Sequence, residues 1–320
     1  MKIAILGAGA LAIGFAKVLE ARDFDIVMWT KFEAEKEEIL TTRVNSRLFP
    51  GIRLADEIKI TTDIKEAVVG ADVILNVLPF IAIRDTIELI KDFYDKDQII
   101  ISATKGIDEE NFITTTKLFE EGLGATKQVA LSGPSFAIDV AKHTEISLML
   151  GTTSEEAEKV TRMLFETDAI KMETTDDIDG IQFCGAIKNA IAVGSGMLAG
   201  LNVADSTRAA YLATGMTDMA KALVVLGGKK ETAYSYAGAG DLMLTCMSPT
   251  SRNFTFGYYL GQGLNVDEAF KLMNNKTVEG YKVIRALKKY SEEKDIPFYT
   301  IPVLYDIVFN GKDVNNIKKV

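Results

Sequence analysis

The sequence is poor in the residues that build metal centres and disulfide scaffolds. It has one histidine, His143, and two cysteines, Cys184 and Cys246, among 320 residues. Protein zinc sites draw on His and Cys, so no metal site is expected. The two cysteines lie far apart in no CxxC pair, which excludes a disulfide framework and fits a reducing compartment. A Ser-His-Asp triad would have to use His143, which sits in the polar stretch AKHTE and reads as a solvated loop residue. A basic excess is missing as well. Lys+Arg number 36 against 45 Asp+Glu, a net charge of −9. That balance argues against nucleic acid as a partner. It also sets a condition: a phosphorylated ligand would need its own local cluster of Lys and Arg. No apolar run of about 18 residues marks a membrane span. Met1-Lys2 followed by IAILGAGALAIG has the look of a signal peptide, but Gly7, Gly9 and Gly14 make a poor apolar helix. A cytoplasmic chain without membrane insertion is expected.

What is present is a globular composition, 48% hydrophobic and 25% charged. The length exceeds what one core usually serves, so two domains are expected, at 1–176 and 177–320. In the first, apolar runs read as strands at Lys2–Leu6, Phe24–Trp29, Asp72–Val77, Gln98–Ser102 and Gln128–Ser132. Helical segments fall between them at Ala10–Ala21, Phe32–Arg43 and Ile81–Phe93. Strand-helix alternation signals βαβ units, a parallel sheet and a Rossmann-type domain, with ligands at the carboxyl ends of the strands. From about Asp177 the pattern turns helical. Gly180–Leu201 is an apolar, small-residue helix, followed by helical segments at Arg208–Leu226 and Asp267–Met273. The fold class is α/β plus all-α. The Gly180–Leu201 helix suits tight packing within the chain or across a homodimer.

Three segments carry chemistry. Gly7-Ala8-Gly9-Ala10-Leu11-Ala12 is a GxGxxA turn between a strand and a helix, the context a dinucleotide needs. Gly7 permits the turn, Gly9 admits the pyrophosphate and Ala12 keeps the helix on the sheet, while the helix N-terminus faces phosphate. The second strand ends Trp29-Thr30-Lys31 with no acid at its tip, and Glu33 lies just beyond. Lys31 suits a 2′-phosphate, so NADP(H) is favoured over NAD(H). In the helical half, Lys188 lies in an apolar helix. It is either a snorkelling surface side chain or a general base whose pKa is lowered by burial or a neighbouring cation. Asp241, after a Gly pair, reads as an N-cap or as a carboxylate aimed at a cleft. Ser251-Arg252-Asn253 before Phe254–Leu260 reads as a phosphate pocket at a helix start; capping explains the Ser and Asn but not the Arg.

In order, GAGALAIG, NSRLFPGI (45–52), SATKGI (102–107), LSGPSFAIDV (131–140), CGAIKNAIAVGSGMLAGL (184–201), AGAGDLMLTCMSPTSRN (237–253), GYYLGQG (257–263) and VEG (278–280) resemble one family closely. It is that of the bacterial-type NAD(P)-dependent glycerol-3-phosphate dehydrogenases. The resemblance implies reversible reduction of dihydroxyacetone phosphate to sn-glycerol 3-phosphate, feeding glycerophospholipid synthesis. It implies that Lys188 is the general acid/base, with Lys105, Asp241 and Thr245 completing the catalytic set. Gly133, Ser135, Ser251, Arg252 and Asn253 would hold the substrate, together with Lys105, Lys188 and Asp241. Gly7, Gly9, Ala10, Leu11, Ala12, Lys31, Phe49, Lys105, Ala137, Arg252, Thr277 and Glu279 would line the cofactor. Lys105, Lys188 and Arg252 would supply the positive field that the acidic balance demands. The chain departs from the family at Ala10-Leu11-Ala12, where Ser-Trp-Gly is usual, and at Phe49, where Tyr is usual. Further departures stand at Phe80, Asp139, Gln182, Ser206-Thr207 and Ala213-Thr214-Gly215. Two other readings share the plan. One is a sibling dehydrogenase acting on another phosphorylated keto sugar or a keto acid. The other is a non-catalytic cofactor sensor, which would be expected to lose Lys188, Lys105 or Asp241.

Overall fold

A computed structural model describes residues 1–108 and 111–320. The chain divides into two compact units. The first is Met1–Lys105 with Ile113–Ile178; the second is Gly106–Phe112 with Asp179–Val320.

The first unit is built on one sheet of eight strands: β1 (Lys2–Leu6), β2 (Asp25–Trp29), β3 (Lys59–Thr61), β4 (Val73–Asn76), β5 (Ile99–Ser102), β6 (Gln128–Ser132), β7 (Ile146–Gly151) and β8 (Ile170–Thr175). Their spatial order is β3-β2-β1-β4-β5-β6-β7-β8. The strands run parallel except at one junction, where β7 pairs antiparallel to β6 (Leu131 opposite Leu150). The strands β4, β5 and β6 are buried along their whole length and mostly apolar because both their faces are covered. Ile3 and Ile5 of β1 enter the core cluster on one face and Ala4 and Leu6 the cluster on the other. The sheet is flanked by α1 (Ala10–Leu19), α2 (Glu33–Thr42), α3 (Ile64–Val68), α4 (Ile83–Ile90), α5 (Thr115–Leu123), α6 (Ala137–Ala141) and α7 (Glu155–Phe165). β1 lies between β2 and β4, so the strand order reverses there. That reversal is where open α/β sheets bind ligands.

The segment that resembled a signal peptide is thus a central strand and the helix that follows it. Gly14, inside that helix, has a packing reason. A Cβ there would stand 2.9 Å from the Ala137 carbonyl oxygen, so glycine lets α1 lie against α6. Three strands had no expectation from sequence: β3, β7 and β8. β3 has three residues, and β8 alternates buried and exposed positions at the sheet edge, so neither forms a long apolar run.

The second unit is helical: α8 (Ile178–Gly200), α9 (Asp205–Val225), α10 (Asp241–Met247), α11 (Arg252–Gly261), α12 (Val266–Leu272), α13 (Glu279–Lys294) and α14 (Thr300–Asn310). α8 is long and apolar enough to cross a membrane by length and composition, yet 94% of its most apolar window is buried in the protein. Its small residues explain how. A Cβ on Gly196 would fall 2.0 Å from the Phe254 carbonyl oxygen, and one on Gly200 2.3 Å from that of Tyr258. Reciprocally, a Cβ on Gly257 would fall 1.8 Å from Val193 O and one on Gly261 2.3 Å from Met197 O. Glycines four apart on both helices therefore let the α8 and α11 backbones touch, and this stripe is filled from within the chain. Asp218 of α9 secures α14. Its carboxylate accepts from the Tyr299 and Thr300 amides (2.9 and 2.6 Å) and from the Thr300 hydroxyl (2.8 Å). It thereby satisfies donors that a helix start leaves orphaned.

Candidate active site

In the first unit, the turn after β1 has two glycines with different reasons to be there. Gly7 has φ +115°, a backbone that side chains rarely adopt, and its amide donates to Trp29 O at 2.9 Å. Gly9 is the N-cap of α1 with φ −73°, and a Cβ there would meet nothing within 4 Å. Folding does not require glycine at Gly9; the space in front of it is open. No side chain caps α1, so its first-turn amides have no capping partner there. Ala10 and Leu11 are half-buried, and Ala12 is buried against the sheet. Phe49 is buried in the same core cluster as Ala8 and Ala12.

The loops after β5 and β6 also converge. Lys105 Nζ donates to the Gly133 carbonyl oxygen at 3.4 Å, and Ser135 Oγ to the same oxygen at 3.3 Å. Gly133 has φ +150°, and a Cβ would clash with Ser147 O at 2.8 Å, so this corner needs glycine. Lys105, Gly133 and Ser135, drawn from separate segments, form one polar corner. Ala137 opens α6 beside it. His143 is exposed at a left-handed turn position, as its polar neighbours suggested.

The tip of β2 differs from the sequence expectation of no acid there. Glu33 points elsewhere, bonding Lys36 and, at 2.8 Å, Thr62. Glu35, two residues on, folds back instead and accepts a hydrogen bond from the Thr30 hydroxyl. Lys31 is exposed.

In the second unit, Lys188 is 4% exposed. Its ammonium lies 2.8 Å from Asp241 Oδ1 and 2.7 Å from Thr245 Oγ1. The surface reading of Lys188 is therefore wrong. Its partner within this unit is an anion rather than the neighbouring cation that sequence reasoning had in view. The Thr245 hydroxyl donates to Asp241 O at 2.6 Å, which leaves its lone pairs to receive Lys188. Asp241 is not an N-cap either. Gly240 occupies that position, and Asp241 is the first residue of α10 with its carboxylate turned to Lys188. The surroundings are buried. Burial pushes the Cys246 thiol, next in chain to Thr245, well above the usual thiol range.

Next in chain to Lys188, Asn189 joins a second network. Its Nδ2 donates to Glu279 Oε2 at 2.9 Å, and its Oδ1 accepts from Asn253 Nδ2 at 2.9 Å. Asn253 Oδ1 in turn accepts from the Gly280 amide at 2.8 Å. The sequence assigned Asn253 to the substrate; here its amide links α8, α11 and α13. Ser251 caps α11 through the Phe254 amide, while Arg252 is exposed at the first position of that helix, unexplained by capping. Thr277 is exposed just before α13. Asn189 was not singled out from sequence, although it stands beside Lys188 in the Lys-Asn pair.

The chain matches the family description "NAD-dependent glycerol-3-phosphate dehydrogenase N-terminus" over residues 2–158 and "C-terminus" over residues 177–319. It belongs to that family. A glycerol-3-phosphate dehydrogenase, NAD(P)+, of Fusobacterium nucleatum is 34% identical over 99% of this chain and 96% of its own. One from Listeria innocua is 33% identical over 98% and 93%. The crystal structure of glycerol-3-phosphate dehydrogenase from Coxiella burnetii has a TM-score of 0.91 and 28% identity, covering 99% of this chain and 97% of that one. Both family halves and the α/β plus helical plan are thereby accounted for across the whole chain.

Proposed function

We propose that this chain is an oxidoreductase that reduces dihydroxyacetone phosphate to sn-glycerol 3-phosphate with NAD(P)H. The observation that carries the reading is the buried Lys188–Asp241–Thr245 cluster in a chain that belongs to this family throughout. The nicotinamide, when bound, supplies the hydride to C2. Reduction leaves negative charge on the C2 oxygen, and a positioned ammonium is suited to neutralise it. We assign that role to Lys188. Asp241 and the accepting Thr245 hydroxyl fix the direction of its Nζ. In the reverse reaction the same nitrogen takes the proton back.

The other assignments follow the same reading. Lys105, Gly133 and Ser135 are assigned to substrate binding, and so are Ser251, Arg252 and Asn253. For Asn253 the contribution is positional, since both ends of its amide are engaged. The turn at Gly7, Gly9, Ala10, Leu11 and Ala12 receives the pyrophosphate, with Phe49 behind it. Ala137, Thr277 and Glu279 complete the cofactor surface. The fit is physical at Gly9, where the cradle is open and the helix start uncapped. Exposed Lys31 favours NADP(H) over NAD(H).

The test is direct. Purified protein is mixed with dihydroxyacetone phosphate and either NADPH or NADH, and loss of nicotinamide absorbance is followed while the product is identified. Consumption of reduced cofactor with formation of sn-glycerol 3-phosphate is expected. Oxidation of neither cofactor would overturn the reading.

A further inference from the structure

Where β2 ends, the structure places a negative charge that the linear sequence hides. Thr30 directly follows the strand and is buried, and its hydroxyl donates to Glu35 Oε2. The other carboxylate oxygen of Glu35 accepts from Asn45 Nδ2 at 2.7 Å. The same Asn45 nitrogen donates to the Ala8 carbonyl oxygen, at 3.0 Å, in the turn between Gly7 and Gly9. Asn45 is itself 1% exposed. One carboxylate is therefore tied both to the β2 tip and, through a buried amide, to the dinucleotide turn.

A cavity of about 320 Å³ opens beside it, lined by Phe32, Ala34, Glu35, Glu38, Asn45 and Arg47. In Rossmann-type sites this is where the adenosine ribose lies, with an acid from the strand end on its hydroxyls. Here the strand end supplies Thr30 and Lys31, and the acid arrives from α2. A carboxylate has about four acceptor positions, and the two tethers use one on each oxygen. Acceptor capacity remains for a ribose hydroxyl. Lys31 and Arg47 are exposed, and neither makes an ion pair among the described residues.

We propose that Glu35 is a cofactor-preference residue: its tethered carboxylate accepts the 2′-hydroxyl of NAD(H) and repels the 2′-phosphate of NADP(H), against the attraction of Lys31. This rests on the cofactor reading above and sharpens it. The site holds opposed charges, so it restrains the preference that Lys31 alone would give. The tether gives the carboxylate its leverage. A freely rotating Glu could swing away from a phosphate, whereas Glu35 is held by two donors.

The test compares ADP-ribose with 2′-phospho-ADP-ribose by calorimetry, on the wild-type chain and on Glu35→Gln. Glutamine keeps the size and a hydrogen-bonding group but removes the charge. The affinity ratio is expected to move roughly tenfold toward the 2′-phosphorylated ligand. Lys31→Ala should move it the other way. A Glu35→Gln ratio equal to wild type overturns the proposal, and so does an equal loss for both ligands, which would mark Glu35 as a tether only. If Glu35→Gln melts far below wild type, Glu35→Ser provides the same ratio with the same criteria. Turnover is read separately. A wild-type chain that binds both probes but leaves dihydroxyacetone phosphate unreduced removes the reaction assignment, while the ratio still decides Glu35. No binding of either probe overturns both.

Discussion

At the scale of single residues, the site turns on how Lys188 is accommodated. A lone ammonium in an apolar helix is costly to bury, and Asp241 at 2.8 Å offsets that cost. Lys188 and Asp241 were both legible in sequence as residues with chemistry, each with a bland alternative. Their pairing was not legible, because 53 residues separate them and no periodicity links α8 to α10. The two glycines of the N-terminal turn make a sharper case. Gly7 is required by its positive φ, whereas Gly9 is required by nothing in the fold. Gly9→Ala should therefore melt within about 0.5 kcal/mol of wild type, the usual range for a substitution that strains nothing. It should at the same time weaken dinucleotide binding, because its methyl occupies the open space proposed above for the pyrophosphate. Calorimetric titration with ADP-ribose beside a thermal melt checks both halves. Unchanged binding would show that the turn does not hold the cofactor.

At the scale of elements, the central strands and the small-residue helix were readable because their signals are local. β6 runs over Gln128–Ser132, as its apolar stretch suggested, and α8 runs over Ile178–Gly200 where Gly180–Leu201 was expected. The edge strands were not readable. β8 gains its place from pairing with β7, a partner that lies 24 residues upstream (Ile146 opposite Ile170) and that no helix-strand alternation announces. The antiparallel turn of β7 against β6 was hidden for the same reason. For α8, the sequence showed that glycines are frequent but not which neighbour they meet. That neighbour is α11, and the contact is backbone on backbone. Gly257→Val should consequently destabilise the chain by about 3 kcal/mol or more, the upper range for overpacking, since nothing in a backbone can rotate aside. Urea unfolding measures it. A shift below about 0.5 kcal/mol would mean that the two helices stand further apart than described.

At the scale of the whole molecule, an acidic protein is asked to bind phosphorylated ligands. The net charge of −9 gives no long-range attraction for them, so local groups must supply it. Sequence reasoning assigned this to Lys105, Lys188 and Arg252 together. The structure places two of them differently. Lys188 faces the Asp241 carboxylate, while Arg252 stands exposed at the start of α11. Under the proposed function, Lys188 serves proton transfer and Arg252 supplies charge. The two-part plan and the family were legible from ordered motifs along the chain. The polar networks around Asn189 and Glu35 were not, because each joins segments whose spacing carries no period. The most direct measurement of the central claim is the rate of dihydroxyacetone phosphate reduction by Lys188→Ala beside wild type, at equal concentrations of folded protein. Folded fraction must be matched, because an unpaired buried Asp241 is expected to cost about 3–5 kcal/mol of stability. Loss of the proton-transfer group should lower turnover by about 10²–10⁴-fold. A rate within a few-fold of wild type would contradict the account and leave Lys188 a structural partner of Asp241.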